Sequence, residues 1–297
     1  MKIIGHDVEP YLTWPGLLAA FEAGHRLPRA EIADILLARG PDRLLDRAAW
    51  IDGLGSLVKV GTIMAGNAAR GLPTVNGAVV LFDDTDGTVA SMLDFHLVTK
   101  WKTAGDSLLS ASRLARRDSR NILLVGAGTV ARSMVEAYRS RFPDARFTVW
   151  SRTPAHAAAM GHAVADELEP AVRRADIICT ATMATRPLIK GDWLQPGQHL
   201  DLIGAYTPEM REVDDTAMAR ARVFVDARAT TVHHIGDLMA PLASGAMTEA
   251  DVLADFYDDP VRFTRLSDDD ITLAKNGGGA HLDLMTASYI ARQSASR

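Results

Sequence analysis

The chain has 297 residues, 47% of them hydrophobic and 23% charged, with a formal net charge of −5. That length exceeds one mean domain, and the composition is that of a globular chain with a sizeable core. The acidic balance excludes the broad basic footprint of a nucleic-acid partner, while a small anionic substrate needs only a few local cations. The single cysteine, Cys179, cannot form an internal disulfide, which fits a reducing, cytoplasmic compartment. It stands in Asp176-Ile-Ile-Cys-Thr180, a strand-like run in which it reads as a small core hydrophobe. The opening MKIIGHDVEP lacks the apolar centre of a secretory signal, and no run of about 18 apolar residues predicts a membrane span.

In chain order, two helices are expected over 14–26 and 28–39, with Pro15 and Pro28 in their first turns and Gly40 as a C-terminal cap. A β-rich stretch follows, with strands at Leu44–Ile51, Leu57–Ile63, Val79–Phe82 and Val89–Leu93. The last two flank Asp-Asp-Thr-Asp-Gly87, a hairpin turn. Thr99–Arg116 reads as a long helix. From residue 121 strands and helices alternate. Strands are expected at Asn121–Val125, Arg146–Ser151, 176–181, 199–204 and Val223–Asp226, with helices at Thr129–Ser140, 154–161 and 167–174. This is the doubly wound α/β pattern. Ile271–Lys275 is strand-like, and Gly277-Gly-Gly279 leads into a final helix, Ala280–Ala291. The change of pattern puts a domain boundary near Asp118-Ser-Arg120.

The loop Gly126-Ala-Gly128-Thr-Val-Ala131 has the context that a dinucleotide-binding turn requires: a strand before it, a helix after it, and a second strand one βαβ unit later. Gly126 permits the tight turn, Gly128 admits the pyrophosphate, and Ala131 allows close helix–strand packing. Thr129 and Val130 open a helix whose free N–H groups suit phosphate. The second strand ends Val149-Trp150-Ser151-Arg152-Thr153, without the acidic residue that binds a ribose 2′-hydroxyl. Ser151, Arg152 and Thr153 suit a 2′-phosphate instead, so NADP(H) is the preferred cofactor and NAD(H) the second choice.

Three basic residues precede this unit. Arg47 lies in Leu44-Leu-Asp-Arg-Ala-Ala-Trp50, Lys59 in Leu57-Val-Lys-Val60, and Lys102 in Thr99-Lys-Trp-Lys-Thr-Ala-Gly105. Strand alternation puts Lys59 on the face of Leu57, opposite Val58 and Val60. A charge on so apolar a strand needs water or an anion, and a substrate carboxylate would satisfy it. The bland reading of Lys102 is an i,i+4 pair with Asp106. His233 and His234 have no partners at metal-ligand spacing, so no metal site is expected.

The segments Lys59…Asn67…Gly71-Leu-Pro-Thr, Leu81-Phe-Asp-Asp-Thr-Asp-Gly87, Thr99-Lys-Trp-Lys-Thr-Ala, Ile122-Leu-Leu-Val-Gly-Ala-Gly128, Ile203-Gly-Ala…Pro208…Arg211-Glu212-Val-Asp214, Val223-Phe-Val-Asp226 and Gly279-Ala-His-Leu-Asp283 occur in that order. Together they resemble the ornithine cyclodeaminase/mu-crystallin family. The resemblance implies a Rossmann-type doubly wound sheet plus a smaller α+β substrate and dimerisation domain, and a homodimer. It assigns 1–117 with 280–297 to the substrate domain and 118–279 to the NAD(P)-binding domain.

The family's substrate carboxylate is held by an arginine, a lysine and a second arginine. By position these fall on Arg47 (with Arg43 as a neighbouring candidate), Lys59 and Lys102. Lysine at the third place departs from the family's Arg-Thr-Ala and loses the planar fork. Thr180 and Thr182 follow a cofactor-domain strand and are expected on the nicotinamide side, Thr103 is a further cofactor candidate, and the resemblance gives Asn67, Pro73 and Asp283 supporting places around the pocket. Tyr206 stands where cyclodeaminases carry an aspartate, and a phenol is a poor acceptor for an ammonium proton at neutral pH.

The implied activity is therefore reduction of a cyclic imino acid. The expected substrate is Δ1-pyrroline-2-carboxylate, giving L-proline, and the six-membered Δ1-piperideine-2-carboxylate is a further candidate. Lys59 or a bound water would supply the proton, and Tyr206 would line the pocket or donate a hydrogen bond. Ornithine cyclodeamination is the alternative reaction. A non-catalytic, crystallin-like NADPH binder is the alternative of another class.

Overall fold

The computed structural model describes residues 1–295. Residues 296 and 297, the end of the segment expected to rejoin the substrate domain, lie outside it. The chain divides into two compact units, Met1–Lys102 with Gly279–Arg297, and Thr103–Gly278. The division falls inside the helix Phe95–Leu114, not at the 117/118 position expected from the sequence. The change of pattern marks where strand–helix alternation starts, but the helix before it runs unbroken through the division. That helix begins at Phe95, earlier than expected, because Asp94 Oδ1 accepts from the Leu97 N–H at 2.8 Å and caps its first turn.

The first unit is built on strands β1 (Lys2–Ile4), β2 (Glu31–Arg39), β3 (Asp42–Ile51), β4 (Gly55–Ile63), β5 (Val75–Phe82) and β6 (Val89–Asp94), in the order β1-β6-β5-β4-β3-β2. All pairings are antiparallel except β1 with β6. On β4, Leu57, Lys59 and Gly61 are buried while Ser56, Val58, Val60 and Thr62 are half-buried, the alternation a one-sided sheet requires. Helix Ala280–Ala295 packs on β3 and β4 and along helix Trp14–Gly24. Because its Asp283 bonds Lys59, the covered face is that of Leu57 and Lys59. The opposite face carries Ile35, Leu37, Leu44 and Trp50 at 53%, 57%, 36% and 61% exposure.

The helix expected over 28–39 is instead the edge strand β2. Its Ala, Leu and Arg residues favour helix locally, but it pairs in register with β3 from Glu31↔Trp50 to Arg39↔Asp42. Gly40 and Pro41 form the two-residue turn, with Gly40 at φ 56°. Positive φ suits a helix cap and a hairpin turn alike, so glycine at that place could not distinguish them.

The second unit holds an eight-stranded, wholly parallel sheet in the order β13-β12-β14-β11-β10-β7-β8-β9. The strands are β7 (Asn121–Val125), β8 (Arg146–Trp150), β9 (Ala163–Val164), β10 (Ile177–Thr180), β11 (His199–Leu202), β12 (Arg222–Val225), β13 (Val252–Ala254) and β14 (Thr272–Lys275). This is the Rossmann-type doubly wound sheet. Central strands covered on both faces read as continuous apolar runs, and Ile122–Val125 and Ile177–Thr180 are buried throughout. Cys179 is enclosed there, and burial pushes its thiol far above the ordinary range.

The chain leaves β7 towards β8 and β9, then returns to place β10 on the other side of β7. A ligand crevice is expected at the carboxyl ends of β7 and β10, where the order reverses.

Candidate active site

In the first unit the antiparallel register sets Asp34, Arg47, Lys59 and Val79 side by side across four strands. Lys59, only 4% exposed, donates to Asp283 Oδ1 at 2.8 Å. Asp283 is fully buried in the first turn of helix Ala280–Ala295. Its other oxygen lies 3.9 Å from Lys102 Nζ and 4.0 Å from an Arg47 guanidinium nitrogen. The structure thus gathers Arg47, Lys59 and Lys102 around one carboxylate. Arg47 also forks onto Asp34, through Nε at 3.1 Å and Nη2 at 2.8 Å. Arg43 is not part of the cluster, because it turns to the Gly40 and Asp42 carbonyls at the hairpin. Asn67 donates to the Pro73 carbonyl at 2.8 Å and so ties off its own loop.

The electrostatics follow from burial. Desolvation brings the Lys59 ammonium down to about 8; Asp283 opposes that fall, while Lys102 and Arg47 add to it. Burial works against ionisation of Asp283, but Lys102, Lys59 and Arg47 together hold its carboxyl below the ordinary range. His281, on the same turn of helix and fully buried, is pushed down to about 3 by burial first and Lys102 next, and stays neutral.

The Lys59 ammonium lies 4.6 Å from the centre of the Phe95 ring. That ring sits against Gly61 and Gly77, which face each other on β4 and β5. A Cβ on Gly77 would stand 2.5 Å from the ring, and one on Gly61 2.9 Å. Phe95 and His281 belong to the cluster; Phe95 carried no motif signal in the sequence, and His281 lies within the Gly279–Asp283 motif without a role assigned to it there.

In the second unit Gly126 follows β7 with φ 118°, and a Cβ there would stand 2.4 Å from the Ala181 carbonyl oxygen. Gly128 caps helix Thr129–Arg141 in extended conformation, and a Cβ there would meet nothing within 4 Å. No side chain caps this helix. The first N–H groups, at Thr129 and Val130, therefore look for an acceptor outside the helix. Ala131 is fully buried. An uncapped helix start behind an open glycine fits a phosphate, so the loop fits a dinucleotide. Ser151, Arg152 and Thr153 follow β8, with Arg152 exposed and without a carboxylate partner among the described residues.

Thr180 is fully enclosed and gives its hydroxyl to Glu212 at 2.8 Å. Its burial follows from its place as the last residue of a central strand. Thr182, two residues on, is half-buried and also bonds Glu212, at 2.7 Å through its hydroxyl. Thr103 is half-buried on helix Phe95–Leu114. Tyr206 is 57% exposed in the loop after β11. Asp226 caps the end of β12, accepting from the Ala227 and Gly278 N–H groups and the Thr231 hydroxyl. His233 pairs with Glu249 at 3.2 Å, and no group of three metal-ligating side chains forms among the described residues. No helix among them is long and apolar enough to cross a membrane.

Comparison with known proteins bears on the same elements. A protein of Paracoccus denitrificans named Delta(1)-pyrroline-2-carboxylate reductase is 51% identical over 298 residues, spanning 96% of this chain and 94% of its own. A protein of the same name from Colwellia psychrerythraea is 32% identical, spanning 75% of each chain. Among solved structures, that of the Thermococcus litoralis Delta(1)-pyrroline-2-carboxylate reductase with NADH and L-proline superposes with a TM-score of 0.89 over 100% of this chain and 98% of that one. At 22% identity the likeness speaks for the fold. A profile of the ornithine cyclodeaminase/mu-crystallin family matches residues 53–297, and with the sheet topology and the curated relatives this establishes that the chain belongs to that family.

Proposed function

We propose that this protein is a nicotinamide-dependent imine reductase that converts Δ1-pyrroline-2-carboxylate to L-proline. The observation that carries the reading is the 51% identity, across 96% of the chain, to the Paracoccus protein of that name. The first unit supports it by gathering three cations, Arg47, Lys59 and Lys102, at one buried carboxylate, the kind of setting that holds a substrate carboxylate.

Within this reading Arg47 and Lys102 orient the carboxylate. Lys59, protonated at neutral pH and nearly dry, holds the proton that the ring nitrogen takes up. Tyr206, exposed after β11, offers a further hydrogen-bond donor. When bound, the reduced dinucleotide supplies the electron pair for the imine carbon. Steady cofactor consumption with Δ1-pyrroline-2-carboxylate and formation of L-proline is the expected result. Background rates with that imine, or ammonia release from L-ornithine without net change in the cofactor, would overturn the reading.

Arg152, exposed after β8 with no acidic neighbour in Ser151-Arg-Thr153, favours NADP(H) over NAD(H). Saturation curves should give the lower KM for NADPH, and Arg152→Ala should raise it about tenfold while leaving that for NADH near its starting value. The exposed apolar face of Ile35, Leu37, Leu44 and Trp50 suits a second copy of the chain, so the active species is read as a homodimer. A cytoplasmic location belongs to the same reading, with cell fractionation as its check.

A further inference from the structure

We infer that Glu212 is the positioning residue of the dinucleotide site: its buried carboxylate holds the tips of β10 and β11 against the Gly126 turn. The inference rests on the dinucleotide reading of the Gly126–Gly128 loop.

Glu212 is fully enclosed, and its two carboxylate oxygens gather five donors. Three belong to the tip of β10: the Thr180 hydroxyl at 2.8 Å, the Thr182 N–H at 2.9 Å and the Thr182 hydroxyl at 2.7 Å. Two belong to the tip of β11: the Gly204 and Ala205 N–H groups at 2.9 and 3.2 Å. Burial pushes the Glu212 carboxyl up, and Lys275 together with the Thr182 and Thr180 hydroxyls draws it back, so the donors around it are needed to keep it in place. The contacts leave no slack. A Cβ on Gly204 would stand 2.2 Å from the Thr182 nitrogen and 2.4 Å from Glu212 Oε1.

The carboxylate is itself anchored. Its residue's N–H donates to Asp237 Oδ1 at 2.7 Å. The other Asp237 oxygen lies 3.2 Å from Lys275 Nζ, and Lys275 donates to the Leu202 carbonyl at 3.0 Å. Glu212 is therefore tied to the body of the sheet through β14 and β11.

The link to the cofactor loop is steric. The Ala181 N–H bonds the Val125 carbonyl at 2.8 Å, directly before the loop. The Ala181 carbonyl lies where a Cβ on Gly126 would be 2.4 Å away. Ala181 sits between Thr180 and Thr182, both held by Glu212. If the carboxylate lets the β10 tip move, the Gly126 turn loses its backstop, and with it the register of the N–H groups that meet phosphate.

Glu212→Gln keeps the volume but replaces an acceptor by an NH2 group, which turns a donor towards the N–H groups of one tip. The measurement is the dissociation constant of NADPH and NADH, titrated by nicotinamide fluorescence without imino acid and compared with the imino-acid KM at saturating cofactor. Cofactor binding should weaken about tenfold, with the imino-acid KM within about twofold of the parent. Unchanged cofactor affinity in the folded variant, or an equal rise in both constants, overturns the inference. If Glu212→Gln does not fold, Thr182→Val decides. It removes one half-buried hydroxyl, and cofactor binding should weaken about threefold; parental affinity overturns the proposal. The binding titration uses no imine, so failure of the proposed reaction and failure of this inference are read separately.

Discussion

Lys59 combines a central strand position, near-complete burial and an ammonium lowered to about 8, so its environment alone brings its titration close to neutral pH. If Lys59 donates the proton as proposed, kcat/KM for the imino acid should be level below about pH 8 and fall about tenfold per pH unit above it. Lys59→Arg, which stays charged, should remove that limb while lowering the rate. A limb that persists at the same pH would assign the titration to the substrate. Asp283 raises the Lys59 value through its charge, so Asp283→Asn should move the limb to lower pH. The same change leaves Lys59 buried without its ion partner and should cost about 3–5 kcal/mol in urea unfolding. At this scale the sequence exposed the charges and placed Asp283 near the pocket through the family resemblance, but did not show it as their common partner. Arg47, Lys59 and Lys102 stood out against apolar neighbours, whereas Asp283 lies far along the chain and meets them only through the return of the last helix.

Among the elements, the antiparallel sheet decides what its strands mean. β2 reads as a helix in isolation because Ala, Leu, Glu and Arg favour one, and becomes a strand because β3 offers a complete ladder. The paired Gly61 and Gly77 make the bay for the Phe95 ring that lies under Lys59. Gly77→Ala puts a Cβ 2.2 Å from the Val60 carbonyl oxygen, and denaturant unfolding should show a loss of about 1–3 kcal/mol. In the second unit the central strands and the helices up to residue 174 were legible because parallel strands buried on both faces give apolar runs broken by helical periodicity, whereas helices Asp215–Arg220 and Gly236–Ser244 were not. The short edge strands β9 and β13 were not, since two or three residues carry no period.

For the whole molecule, one face of the six-stranded sheet is covered by helix Ala280–Ala295 and the other is open, with Ile35, Leu37, Leu44 and Trp50 on it. Light scattering should find a dimer. Ile35→Asp with Trp50→Glu should yield a folded monomer, and a double variant that stays dimeric would move the interface elsewhere.

The sequence by itself determined the doubly wound unit, its glycine turn, the missing acidic residue after β8 and the family. These depend on contiguous residues and on spacings that local geometry enforces. Tertiary structure decided which residues share a face or a buried carboxylate. It made β2 a strand, turned Thr180 inward to Glu212, excluded Arg43, and brought Asp283 under three cations. The physical reason is common to all four. Pairing and burial join residues distant in sequence, and the cost of an unpaired polar group inside is what chooses the partner.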